Sequence, residues 1–266
     1  MKFTGKDHTY VICAYGDSSY LEECISSLIK QKVKSNIIMV TSTPSSFLNE
    51  LSKKYRIQMY INKGENGISG DWNFGLSKVR TPIATIAHQD DIYEDWYTEE
   101  VLKYMNKSKK ALIFFSDYGE IREGKRKKNN CLLRIKRIML LPLRPRWTAE
   151  NRFIRRRVLS LGSPISCPTV SYYLPNLPFP VFRNEYKSDL DWQAWEKLSC
   201  LKGEFLYSPQ ICMYHRIHEK STTTELLQDN KRHWEDLEMF LKFWPKPIAY
   251  LLAWLYKNSE KSNWLR

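Results

Sequence analysis

The stretch TIAHQDDIYEDWY, residues 85–97, sets two adjacent carboxylates, Asp90 and Asp91, against the end of an apolar run. Like charges side by side repel, and the cost grows as water is removed, so the pair calls for a cation or a set of hydrogen-bond donors beside it. A hard divalent ion is one answer, because such ions take oxygen ligands and bridge one or two protein carboxylates to phosphates. Capping of a following helix is the other. Two further groups could join this chemistry. YHRIHEKSTT, from Tyr214, offers the imidazoles of His215 and His218, the Arg216 cation and the hydroxyls of Ser221 and Thr222; imidazole suits Mn2+ better than Mg2+. YKSDLDWQAWEKL, from Tyr186, holds Asp189 and Asp191. Each can take a proton from a hydroxyl or accept backbone amides at a helix start.

Positioning these groups falls to a chain that alternates strands with helices. TYVICAYG (9–16) reads as a buried strand stopped by Gly16 and Asp17, and SSYLEECISSLIKQ spaces Leu21, Cys24, Ile25, Leu28 and Ile29 at the helical period. SNIIMVTSTPSS repeats the pattern, with a strand to Val40, a turn holding Pro44, and a helix from SFLNELSKKY opened by a Ser cap. RIQMYINK and SGDWNFGLSKVR give a third strand and helix, and PIATIAHQDD a fourth strand. This alternation over the first 110 or so residues predicts an α/β fold with a mostly parallel central sheet covered by helices on both faces. Ligands then sit beyond the carboxyl ends of the strands, where Asp90 and Asp91 fall. ALIFFSDYGEI adds a strand, and no repeat with a period of 20 to 50 residues runs through the chain.

Composition narrows the partners. The six cysteines are scattered with no C-x-x-C pair, and MKFTGKDHTY lacks the pattern of a signal peptide, so a reducing cytosol is expected. The longest apolar run, PIAYLLAWLY, is about half the ~20 residues a membrane-spanning helix needs. Residues 125–157 hold thirteen Lys or Arg against one acid, Glu150, which is nearly all of the chain's net +13. The charges alternate with Leu, Ile and Met rather than with stacking aromatics, a pattern that suits an anionic membrane surface better than a nucleic acid. On that reading Arg155, Arg156 and Arg157 meet the headgroups. An ordinary solvated helix face is the alternative.

The ordered set VICAYGDSSYLEECISSLIKQ, NKGENGISGDWNFGLSKVRTPIATIAHQDD, DLDWQAWEKL and HRIHEKSTT resembles the inverting family 2 glycosyltransferases of GT-A type fold. The resemblance covers residues 9 to about 224. It implies that Asp90 and Asp91 bind Mn2+ or Mg2+ and, through it, the diphosphate of a nucleotide sugar, with His218 completing the metal shell and Arg216 and Ser221 meeting the diphosphate. It also implies nucleotide-sugar contacts from Ala14, Tyr15, Thr41, Ser42, Asn66, Gly67, Asp71, Trp72, Asn73, His88 and Gln89. Two positions depart from the family pattern. His88 stands where many relatives carry the first aspartate of Asp-x-Asp, and Thr41 or Ser42 stands where an aspartate usually reads a uracil ring. Asp191, before Trp192, matches the family's catalytic base; Leu190 replaces the usual preceding glutamate and leaves Asp189 as competitor.

The expectation is therefore a GT-A domain over residues 1–224, with the basic insertion 125–157, and a helical tail over 225–266. Its activity would be inverting transfer of a sugar, from a UDP-sugar above other donors, to a saccharide or lipid-linked acceptor in cell-envelope or polysaccharide synthesis. The enzyme would work in the cytoplasm, with the basic segment and the tail holding it to the membrane. A sugar nucleotidyltransferase is an alternative of similar shape, weakened by the missing glycine-rich, lysine-containing triphosphate loop; a basic nucleic-acid binder is another.

Overall fold

The computed structural model of the protein describes residues 2–65, 67–218 and 231–264. Its first half follows the predicted alternation. Strands β1 (His8–Ala14), β2 (Asn36–Thr41), β3 (Gln58–Ile61) and β4 (Ile83–His88) alternate with helices α1 (Leu21–Ile29), α2 (Ser46–Tyr55) and α3 (Ile68–Lys78). All four strands are parallel, in the order β3-β2-β1-β4. Helix α1 forms where Leu21, Cys24, Ile25 and Leu28 share one buried face. Helix α2 starts at Ser45, whose hydroxyl accepts the Leu48 amide at 3.2 Å. Gly75 lets α3 lie against the sheet: a Cβ there would come within 2.5 Å of the Val11 side chain.

The second half of the sheet is mixed. After β4 come β5 (Ile92–Tyr93), α4 (Tyr97–Met105), β6 (Ala111–Arg122), β7 (Lys125–Lys127), α5 (Cys131–Leu140), α6 (Arg152–Val158), β8 (Ser171–Tyr173), α7 (Leu190–Ser199) and β9 (Glu204–Ile217). The order continues β4-β8-β6-β9-β5, with β7 on β6. The short β8 lies antiparallel between β4 and β6, while β6 and β9 run parallel. Two apolar clusters flank the sheet: one holds Tyr10, Leu28, Met39 and Val101, the other Trp72, Ile86, Trp192 and Trp195.

The tail joins the second cluster. Leu237, Met239 and Phe240 of α8 (Lys231–Leu241) and Ala249 and Ala253 of α9 (Lys246–Trp264) are buried in it, and the Trp192 and Phe240 rings meet edge to face at 5.1 Å.

The basic segment divides into two kinds of cation, which corrects the expectation for its last arginines. Arg155 is fully buried and donates to the carbonyls of Leu201 and Gly203 at 2.7 Å each. Arg156 pairs with Glu196 and lies over the Phe243 ring. Arg157 is exposed but stacks between Phe153 and Trp244. Arg155 faces inward because the turn after α7 leaves carbonyls without intrahelical partners, and buried acceptors need donors, whereas Arg156 is drawn in by the Glu196 carboxylate and the Lys242 carbonyl.

Arg155→Met removes the donor for two carbonyls and should lower the unfolding free energy by about 2–4 kcal/mol. Urea denaturation followed by circular dichroism checks it; an unchanged midpoint would contradict the assigned role.

Candidate active site

The two carboxylates stand just past β4, on a tight turn in which the Asp91 amide donates to the His88 carbonyl at 3.3 Å. The next two residues form β5 and pair with β9, Ile92 opposite Tyr214 and Tyr93 opposite Met213. That register carries residues 215–218 onto the turn. Asp91 is wholly buried, and its Oδ1 accepts the Arg216 amide at 2.9 Å and lies 2.9 Å from His215 Nδ1. Asp90 is turned outward, with Oδ2 3.0 Å from His218 Nε2.

Arg216 fastens the turn from behind. Its Nε donates to the Asp90 carbonyl at 2.9 Å, Nη2 meets Glu23 Oε2 at 2.5 Å, and the guanidinium lies 4.3 Å from the Tyr20 ring centre. The same Tyr20 ring packs on His218 at 5.1 Å. In this geometry the Arg216 guanidinium, engaged with Glu23 and a backbone carbonyl, braces the turn that carries the carboxylates.

The electrostatics separate the two aspartates. Burial disfavours a charged His215, but Asp91 above all, then Asp90, outweighs it and lifts the imidazole to about 9. Burial lowers the His88 pKa against the pull of both carboxylates, which leaves a neutral ring with a lone pair. For Asp90 burial works to raise the pKa, but the neighbouring His215 and His88 and the hydrogen bond with His218 bring it below the ordinary value.

The residues fit a divalent cation. Ligand atoms of His88, Asp90 and Asp91 lie within 4.8 Å of one another. Among the described residues, Asp91 Oδ2 and His88 Nε2 are buried and find no hydrogen-bond partner, the kind of acceptor that an ion satisfies. The 3.0 Å between Asp90 Oδ2 and His218 Nε2 equals the spacing, about 3.0 Å, of neighbouring ligands in an octahedral shell of about 2.1 Å radius.

Around this turn the structure sorts the other expected contacts. Gln89 locks the loop after β1: its side-chain amide accepts the Tyr15 amide and donates to the Tyr15 carbonyl, both at 3.0 Å. That leaves the Tyr15 ring 68% exposed beside Ala14, which is buried. Ser42 donates to Asp71 at 2.7 Å, and Asn62 donates to the other Asp71 oxygen at 2.8 Å. Gly67, with φ at +100°, begins α3. Trp72 stacks on His88 with ring centres 5.3 Å apart. Thr41 and Asn73 bond within the chain. Thr41 is buried and accepts the Thr43 amide at 3.0 Å, and Asn73 accepts the amides of Val181 and Phe182 at 3.1 Å each. Both use their polar groups on the chain's own turns. Asn66, Ser221 and Thr222 lie outside the described residues.

Asp191 sits in the first turn of α7, where Oδ1 accepts the Trp192 amide at 2.6 Å. Asp189 is the residue before the helix and makes no side-chain cap. Just before the helix, the Glu235 carboxylate of the tail accepts the amides of Lys187, Ser188 and Asp189 at 2.8, 2.8 and 3.0 Å. Lys136, on the inner face of α5, donates to the Tyr118 hydroxyl at 3.1 Å. Burial works to lower the Lys136 pKa, yet Tyr118, Asp191 and Glu120 together hold it above the ordinary value, so the ammonium is within electrostatic reach of Asp191. Glu23, Tyr20, Glu235 and Lys136 carry no motif that would single them out. Only the helical period of α1, which places Tyr20 and Glu23 one turn apart, hints at the first two.

Residues 9–175 match the family described as Glycosyl transferase family 2. An uncharacterised glycosyltransferase of Haemophilus influenzae is 31% identical over 104 residues, which are 37% of this chain. The match spans about a third of that relative's length, 32%. Among solved structures, S. aureus TarS 1-349 in complex with UDP-GlcNAc is 13% identical, with a TM-score of 0.64 over 95% of this chain and 70% of that one. The mannosyltransferase PcManGT from Pyrobaculum calidifontis, in complex with GDP-Man and Mn2+, is 12% identical, with a TM-score of 0.63 over 94% and 69%. These likenesses establish the architecture as the GT-A type.

The His215–Asp91 pair sets a pH dependence. Its folded pKa of about 9 stands above the ordinary 6.5, so the pair stabilises the fold fully below pH 6.5, and that stabilisation is lost as pH rises through about 9. In the presence of a chelator, the melting temperature should fall over this window, and His215→Gln should flatten the fall. Parallel profiles for parent and variant would contradict the pairing.

Proposed function

We propose, from the premise that this chain belongs to glycosyl transferase family 2, that it transfers a sugar from a nucleotide-diphosphate donor to an acceptor hydroxyl with inversion and with the help of Mn2+ or Mg2+. The observation that carries this reading is the paired Asp90 carboxylate and His218 imidazole, 3.0 Å apart and beside the partnerless Asp91 Oδ2. This group lies just beyond the carboxyl end of β4, the edge at which open α/β sheets bind ligands.

Asp90 and His218, with Asp91 and His88 behind them, would hold the ion, which when bound offsets the charge that develops on the departing diphosphate. In this reading the Tyr15 ring, which is exposed, packs on the base. The donor is a UDP-sugar in this reading. The acceptor is a saccharide or lipid-linked saccharide of cell-envelope or polysaccharide synthesis, met at the cytoplasmic face of a membrane. Asp191 takes the proton from the acceptor hydroxyl as its oxygen attacks the anomeric carbon on the face opposite the diphosphate. Inversion by direct displacement needs one such carboxylate, held ionised. The Lys136 ammonium favours that state, and Glu235 holds the amides that lead into the helix that presents it.

Two substitutions separate the parts of this reading. Asp90→Asn keeps the shape but removes the outward charge, and should abolish the Mn2+-dependent gain in UDP affinity measured by calorimetry. Unchanged titrations would remove Asp90 from the metal site. Asp191→Asn should leave donor binding within a few-fold of the parent and lower transfer by about 10²- to 10⁴-fold. If Asp191→Asn turns over at the parental rate while Asp189→Asn is inactive, the base is Asp189.

A further inference from the structure

Helix α5 has two faces of different character. Leu133 and Leu140 are buried on the inner face, where Arg137 donates to the Tyr118 carbonyl at 2.9 Å and its Nε lies 3.2 Å from Asp117 Oδ2. The outer face carries Leu132, Ile135 and Ile138 at three-residue spacing, and Ile135 and Ile138 are 49% and 63% exposed. The chain from α5 to α6 adds Leu141, Trp147 and Phe153, the last two 79% and 67% exposed. Contiguous exposed side chains of this size mark an interaction surface rather than a solvated helix. Exposed cations lie among them in the chain: Arg134, Arg144, Arg146 and Arg152, with Lys127 and Lys128 just before the helix.

We propose that the outer face of α5, together with the exposed residues between α5 and α6, docks the protein on an anionic lipid bilayer. Charge complementarity selects this occupant. A neutral protein partner would bury these cations without compensation, whereas an anionic interface takes the aliphatic side chains into the acyl boundary and leaves the guanidinium groups among the headgroups. A nucleic acid would draw on the same charges but has no use for an exposed stripe of Leu and Ile. Trp147 suits the headgroup level, where an indole keeps one end apolar and one wet. Arg155 and Arg156 take no part, being spent on the interior. The inner face of the same helix bears Lys136, which donates to the Tyr118 hydroxyl and stays away from the proposed docking face.

This deepens the membrane placement in the proposed function and does not depend on sugar-transfer chemistry. The test is sedimentation of the full chain with vesicles of about one part phosphatidylglycerol to three of phosphatidylcholine, and with phosphatidylcholine alone, at low and high salt. UDP titration with Mn2+ on the same preparations keeps failure of the docking separate from failure of the enzymatic reading. The parent should pellet with the anionic vesicles only, and less at high salt. Ile135→Asp with Ile138→Asp, and separately Arg144→Glu with Arg146→Glu, should each lower the partition coefficient by about tenfold or more at an unchanged melting temperature. Either double variant pelleting like the parent would overturn the proposal, as would a parent that ignores anionic vesicles. Tighter binding of a short nucleic-acid duplex than of vesicles would overturn it in favour of a nucleic-acid surface.

Discussion

The structure turns on the compensation of two neighbouring carboxylates by a strand that arrives more than a hundred residues later. Asp90 and Asp91 are tolerable past the end of β4 because the 215–218 stretch supplies a backbone amide, two imidazoles and a guanidinium. Those donors are held in place by the pairing of β5 with β9, and β9 is anchored along most of its length against β6. A slip of one residue in that register would turn every side chain to the other face of the sheet and leave Asp91 buried without its donors. The mixed half of the sheet thus serves the carboxylates that the parallel half delivers.

The division of labour between the two aspartates follows from burial. Asp91 has given one oxygen to the protein and keeps the other pointed at His88 Nδ1, 4.0 Å away. Asp90 keeps its carboxylate outward and shares it with His218. The inner aspartate defines the turn, and the outer one is available to a ligand. Near α7 a second acid from a remote element does comparable work, since Glu235 of the tail holds the three amides that lead into the helix.

Much of this was legible in the chain. A parallel strand buried on both faces reads as a short apolar run, and helices with one buried stripe show the 3.6 period, so β1 to β4 with α1 to α3 stand out. Asp90, Asp91 and His218 were legible because acids and imidazoles at strand ends need a reason. What stayed hidden depends on partners remote in sequence. Arg155 looks like its neighbours in a basic run, and nothing in RRR tells which guanidinium will meet the carbonyls of Leu201 and Gly203. Asn73 carries atoms that a ligand could use, and nothing near it in sequence foretells that its oxygen meets the amides of Val181 and Phe182. Glu235 is one acid in a helical tail until the fold sets it over the start of α7.

A cation would enter a site that already balances much of its charge. The protonated His215 neutralises most of what Asp91 contributes, so the surplus negative charge is that of Asp90, shared with His218. An ion taken between Asp90 and His218 would be held by one carboxylate oxygen and one imidazole nitrogen. The arrangement of His215, Arg216 and Glu23 behind the two carboxylates keeps the turn in place.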